Sequence, residues 1–277
     1  MNSYTPVWKP SIAAIAVTAA LVAPVAFAQD DCPVSHAALK SALNSAVTQA
    51  NGGLQLNMWA TIVNRQGFVC AVAFSGANFQ SQWPGSRVIS AQKANTANSF
   101  NLGPNSNASG HGGVGVAGLA LSTANLFSAV QPGGSLYGLQ HSNPVDTINA
   151  YAGDAQDFGT SSDPMIGTRV GGVNVFGGGL GLYAAGHSVV GGVGVSGDTS
   201  CTDHEIAWRV RHNLGLDHLQ GVHGVAALFA GDTTHPDNII YDITPQSGQM
   251  EGVSATGFGH PSCFNTVDQT LLPPVIP

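Results

Sequence analysis

Lys93 lies in the run Ala91-Gln92-Lys93-Ala94-Asn95-Thr96-Ala97 of a chain whose other lysines are Lys9 and Lys40. Small neighbours, Ala94 and Ala97, leave its compact ammonium room to meet a ligand carboxylate, and Thr96 adds a hydroxyl to the same segment. A second candidate is Val189-Val190-Gly191-Gly192-Val193-Gly194-Val195-Ser196-Gly197, where glycines let a ligand or another backbone approach closely. Tight packing of a sheet on a helix explains the same glycines. Ser196 and Asp203 supply polar groups nearby, although Asp203, close to the start of a predicted helix, is also placed to interact with the helix dipole. Ten histidines raise metal ligation, since neutral imidazole is a common ligand. Their spacing forms no chelate: His204-Glu205 is not followed by a histidine three residues on, and His204 and His212 stand two turns apart on one helix face with Trp208 between them. No Gly-x-Ser-x-Gly elbow is present, and Gly177-Gly178-Gly179 precedes a strand pattern, not the helix that a phosphate loop requires.

The elements that must position these groups follow from periodicity. Residues 33–50 place Leu39, Leu43, Ala46, Val47 and Ala50 at helical spacing before Gly52-Gly53. Residues 54–74 read as a β-hairpin turning at Asn64-Arg65-Gln66-Gly67. A second helix is predicted over 87–100, with Val88, Ala91, Ala94 and Ala97 on one face and Ser86 as its cap. Residues 101–118 have the Gly, Asn and Ser content of a mobile loop, and 121–130 a short helical run. Residues 131–167 show turns and little periodicity, the pattern of a functional lid or a plain insertion. Strands are predicted at 173–176, 180–183 and 188–195, then a helix over 202–214 stopped by Gly215, then a strand candidate at Ile239-Ile240-Tyr241 and a Pro-rich tail. Hairpin-type strands with helices grouped between them indicate an α+β fold, an antiparallel sheet sandwiched by helices.

The N-terminus has Lys9 followed by an apolar run to Val25 and then Ala26-Phe27-Ala28, the pattern of a signal peptide over 1–28 with cleavage before Gln29. Pro10 and Pro24 bracket a stretch shorter than the ~20 residues of a spanning helix, so no membrane association is expected after cleavage. Only 8% of the chain is charged, against ~25% in ordinary globular proteins, which implies a polar but weakly ionic surface. With eight basic and fifteen acidic residues the chain repels phosphate backbones, so nucleic acid is excluded as a partner class.

Two segments carry a family pattern. Ala91 to Ala97 resembles the Ala-x-Lys-Ala-x-Thr-Ala helix of the GlcG/HbpS family, in the family's position after a hairpin. Gly171-Gly172-Val173-Asn174-Val175, then Val189 to Gly197, then Asp203 resemble its Gly-Gly-x-Pro-Ile strand, its Val-Gly-x-x-Gly-Val-Ser-Gly strand end and the Asp that follows. The resemblance covers roughly 33–214 and is interrupted by an insertion at about 101–167; Asn174 stands where the family often has Pro. It implies a roadblock/profilin-like α/β/α fold, homo-oligomers in several members, and haem binding or haem breakdown in some. On this reading residues 29–216 form a single domain carrying the insertion, and 217–277 are a C-terminal extension packed on it.

The resemblance and the residues together give an extracytoplasmic, periplasmic or secreted protein binding haem or a similar small carboxylate-bearing molecule, with Lys93, Thr96, Gly172, Gly194, Ser196 and Asp203 as ligand-binding candidates. The alternatives are an enzyme acting on a small oxygenated or aromatic metabolite in the same pocket, with the insertion as lid, and a structural protein without ligand. For an axial haem ligand the loop histidines are His111, His141 and His187, none of which the resemblance nominates. Cys32, Cys70, Cys201 and Cys263 all survive cleavage into an oxidising compartment and admit three pairings. The architecture favours Cys32 with Cys70, joining the start of the first helix to the hairpin. It then leaves Cys201 with Cys263, which fastens the tail to the last helix and would contribute about 4 kcal/mol.

Overall fold

The computed structural model describes residue 1 and residues 31–108, 116–247 and 252–277; the expected signal peptide, 1–28, lies outside the described residues apart from Met1. Its centre is a four-stranded, wholly antiparallel sheet in the order β2-β1-β6-β5, built from β1 (Trp59–Asn64), β2 (Val69–Phe74), β5 (Gly179–Ala184) and β6 (Ser188–Ser196). The Asn64 carboxamide accepts from the backbone N–H groups of Gln66 and Phe68, which closes the β1–β2 turn. Alternation along the strands sends Ala60, Ile62, Ala71, Ala73, Val193 and Val195 to one face and Trp59, Val63, Val69 and Val72 to the other.

On the first face lie α1 (His36–Val47) and α4 (Ser200–Asn213). Helix α1 begins where the Ser35 hydroxyl accepts from Ala38 N–H, and it buries Leu39, Ala42, Leu43 and Ala46, one apolar stripe. On the second face lies α2 (Ser86–Phe100), whose alanines bring its axis close to the sheet. Ser86 is not its cap: it is the buried first residue of the helix, with Gly85 before it and no side-chain capping bond. The sheet with helices on both faces is the α+β sandwich expected.

Several local expectations change. Residues 101–118, expected as a loop, contribute the antiparallel hairpin β3 (Leu102–Ala108) and β4 (Val116–Leu119). The helical run that follows is two short 3-10 turns, Thr123–Leu126 and Ser128–Val130, the first held by reciprocal Ser122 and Asn125 capping. Residues 173–176 form no strand; Asn174 N–H donates instead to the Thr96 hydroxyl of α2. Residues 239–241 are also not a strand: Ile240 is apolar because it is buried against Val173, Val175 and Val225. The tail's own ladder is β7 (Ile243–Thr244) with β8 (Val253–Ser254).

Residues 131–167, expected as part of an insertion, and the tail beyond 216 are both fastened to the sandwich. Arg87, fully buried on α2, pairs with Asp163 and donates to Ala150 O, fixing the insertion, which also contains the short α3 (Thr147–Ala150). The tail, with α5 (Val225–Ala230), covers the outer side of α4. Disulfides join Cys32 to Cys70 and Cys201 to Cys263, with Cα atoms 5.6 and 5.9 Å apart, the expected pairing. Neighbouring backbone meets both sheet edges: Val69 exchanges bonds with Gly167 and Thr168, and Tyr183 with Leu216 and His218. Among the described residues no helix is long and apolar enough to cross a membrane.

Candidate functional site

Helix α2 carries Lys93 toward the end of β6, and α4 carries Asp203 to the same point from the opposite side. The Lys93 Nζ lies 2.6 Å from Asp203 Oδ2 and 3.0 Å from Val195 O, and sits 4.6 Å from the centroid of the Phe176 ring. Asp203 Oδ1 accepts from Gly197 and Asp198 N–H at 3.0 and 2.9 Å. Both side chains are fully buried. Burial lowers the Lys93 amine and raises the Asp203 carboxyl to about 6, while the ion pair and the two backbone donors oppose those shifts. Any side chain at Gly178, whose φ is +113°, would stand within 2.8 Å of the Lys93 ammonium. The sequence leaves Lys93 open to a ligand carboxylate; in the structure the carboxylate it meets is Asp203, because α4 closes over it.

The other predicted site residues are built into the same wall. Thr96 donates to Gln92 O and accepts from Asn174 N–H, clamping the 173–178 segment to α2. Gly172 accepts from Asn95 at 2.8 Å, and a Cβ there would strike Val145 and Gln92. A Cβ at Gly194 would lie 2.0 Å from Ser90 O, so this glycine exists for the approach of α2 to β6. Ser196 is buried opposite Trp59 in the ladder. Asp203 occupies the first turn of α4, but the cap is Thr199, and its carboxylate ties α2 and the strand end together.

Behind this pair is a second polar layer that sequence spacing did not reveal. His204 Nε2 contacts Asn238 Oδ1 at 3.1 Å, while its Nδ1 has no partner among the described residues; burial, with Arg211 next, lowers its pKa to about 3. His260, from the tail, has Nδ1 2.7 Å from Pro261 O and accepts from Gly177 N–H at Nε2. Arg211 forms a bidentate pair with Asp237, and Arg209 lies 3.7 Å from Glu205, whose carboxyl burial raises to about 7. The partners of His204, Arg211 and Glu205 in the tail, Asn238, Asp237 and Gln269, lie beyond residue 230, and no motif near α4 signals them. Of the loop histidines, His111 lies outside the described residues, His141 is exposed, and His187 meets His218 O at 2.9 Å. His212 pairs with Asp217, away from His204.

A cleft of about 520 Å³ opens beside this layer, between the 3-10 turns and the β7–β8 hairpin, with Phe127, Pro132, Ile243, Val253 and Pro261 among its walls. The Phe127 ring also packs 5.2 Å from that of His260. Ser128, Gln131 and Ser254 add polar groups to these apolar walls. As a haem seat it lacks cationic and imidazole anchors: no Lys, Arg or His among the described residues lines the cleft, and His260 behind it is 1% exposed. An iron ligand and a cation for carboxylates are therefore not presented there, and no coordination chemistry is assigned to it.

An antiparallel sheet between two helical layers, with a lysine-containing helix packed on a glycine-rich strand end, defines a three-layer α/β/α domain. The chain belongs to the family described as haem degrading protein HbpS-like, whose model matches residues 34–211. No curated protein matches it. Solved structures similar to it include Klebsiella pneumoniae protein ORFY, 24% identical over 65% of this chain and 90% of its own, with a TM-score of 0.40. A PduOC:haem complex is 21% identical over 64% and 89%, TM-score 0.40. A double mutant of Streptomyces reticuli HbpS is 16% identical over 73% and 97%, TM-score 0.38.

Proposed function

We propose that this chain is an exported binding protein for a flat, largely apolar molecule, haem or a related tetrapyrrole, seated in the cleft between the insertion and the tail. Family membership supports the haem-related class. The cleft walls of Phe127, Ile243 and Val253 are the observation that supports this seat. Two disulfides and no free cysteine among the described residues favour an oxidising compartment. In this reading Lys93, Thr96, Gly172, Gly194, Ser196 and Asp203 hold the wall behind the cleft in shape without touching the ligand. Self-association, which the family resemblance implies, belongs to the same reading and is measured by light scattering with and without ligand.

The absence of a presented imidazole makes a specific prediction. Haemin and iron-free protoporphyrin are expected to bind with affinities within about tenfold of each other, since the macrocycle and not the iron is held. Titration of the purified chain, read by the Soret band and by porphyrin fluorescence, measures both. Val253→Glu, at an exposed wall position, is expected to weaken both at least tenfold while leaving the fold intact. No saturable change beyond that of a control protein rejects the binding function. Saturable binding indifferent to Val253→Glu but lost in a folded Lys93→Met variant would move the seat to the buried pair.

A further inference from the structure

Cys201, His260 and Cys263 each bring a ligand atom within 4.8 Å of the others. The two sulfurs are joined, which removes them as ligands in this state. Cys201 is the second residue of the 14-residue helix α4, and its own N–H donates to Cys263 Sγ at 3.2 Å; the Ser200 hydroxyl lies 3.4 Å from the same sulfur. A helix N-terminus and two donors aimed at one sulfur stabilise it as a thiolate once the bond is broken. Cys201 and His260 are buried, whereas Cys263 is partly exposed and gives a reductant an approach. The His260 imidazole is held only loosely at Nε2, where Gly177 N–H donates over 3.4 Å.

From this geometry we infer that Cys201, Cys263 and His260 form a redox-gated site for a thiophilic divalent cation such as zinc, closed while the disulfide is intact and opened by its reduction. A dithiol supplies two electrons and two protons, becoming a disulfide itself, and leaves two cysteine thiols. Binding the metal then releases both thiol protons, so one M²⁺ replaces the S–S bond with two thiolate ligands and one imidazole nitrogen. Three protein ligands leave a fourth position for water, a recognised arrangement for zinc. The metal would continue to fasten the tail to α4, so reduction changes the chemistry of the staple without releasing the tail.

The test uses the full chain, reduced with a phosphine under anaerobic conditions and given cobalt(II) and then zinc. One cobalt per reduced chain is expected, with a thiolate-to-cobalt charge-transfer band and tetrahedral d–d bands that zinc bleaches, and no such band with the oxidised chain. Because Cys32 and Cys70 are also reduced, alkylation mapped by mass spectrometry assigns the site: zinc should protect Cys201 and Cys263 at least tenfold and leave Cys32 and Cys70 unprotected. His260→Ala should weaken cobalt binding at least tenfold. The inference is overturned if the reduced chain shows no thiolate band, if zinc protects both cysteine pairs equally, or if His260→Ala binds cobalt unchanged. Loss of structure on reduction that zinc does not restore overturns it as well. None of these readouts depends on tetrapyrrole binding.

Discussion

Removing the charge of Lys93 would strand the Asp203 carboxylate in a buried site, and breaking a buried pair from one side typically costs about 3–5 kcal/mol. Lys93→Met is therefore expected to lower the urea midpoint strongly. Lys93→Met with Asp203→Asn should recover part of the loss, because the amide oxygen still accepts from Gly197 and Asp198 and carries no charge. Equal loss in the single and double variants would contradict the pair's role. At the same scale, His204 sets an acid limb. Its folded pKa, about 3, lies below the ordinary value, so the unfolded chain takes up a proton that the folded one refuses. Stability then falls as pH drops below 6.5, by up to about 1.4 kcal/mol per unit from this group. Glu205 acts with the opposite sign: raised from 4.5 to about 7, it favours folding when protonated, and that contribution is lost as pH rises through this interval. Denaturant curves from pH 4 to 7 should show a shallower acid limb in His204→Gln and a weaker loss toward pH 7 in Glu205→Gln.

At the scale of elements, the contact of α2 with β6 has no room for a methyl group. Gly194→Ala would put its Cβ 2.0 Å from Ser90 O and is expected to cost about 1–3 kcal/mol or more. Gly85→Ala, with nothing within 4 Å, should stay within about 0.5 kcal/mol, and thermal melts of the two test the contrast. This scale also shows what was legible beforehand. Helix α1 could be read from Leu39, Leu43 and Ala46, and the hairpin from its Asn-Arg-Gln-Gly turn, because one face of each meets the core and periodicity reports that. Residues 173–176 and 239–241 misled the same reasoning, since a short apolar run looks alike whether it pairs in a sheet or merely packs. Helix α4 hid its environment differently. Glu205 and Arg211 are charged residues buried by partners distant in sequence, and no local pattern announces a partner sixty-four or twenty-six residues away. For the same reason Lys93 could be singled out, but its occupancy by Asp203 could not.

For the whole molecule, the tail is structural. Trp208 Nε1 donates to Pro273 O, Arg211 depends on Asp237, and Asn238 serves both His204 and Asn125. A chain ending at Leu216 is expected to lose cooperative unfolding by circular dichroism, because it exposes Trp208 and leaves Arg211 buried or half-buried without its carboxylate; a cooperative transition within 1 kcal/mol of the full chain would show that the tail is dispensable. The backbone bonds at Val69 and Tyr183 have a separate consequence. An antiparallel sheet ends in two rows of amides that invite a neighbour's strand, and in this protein the outer row of β2 is interrupted at Val69 by Gly167 and Thr168 and at Phe74 by the Lys40 ammonium, while that of β5 is interrupted at Tyr183 by Leu216 and His218. These contacts act as edge guards: they occupy outward-facing backbone groups on both sheet edges and so oppose the zipping of two copies' sheets into one continuous ribbon.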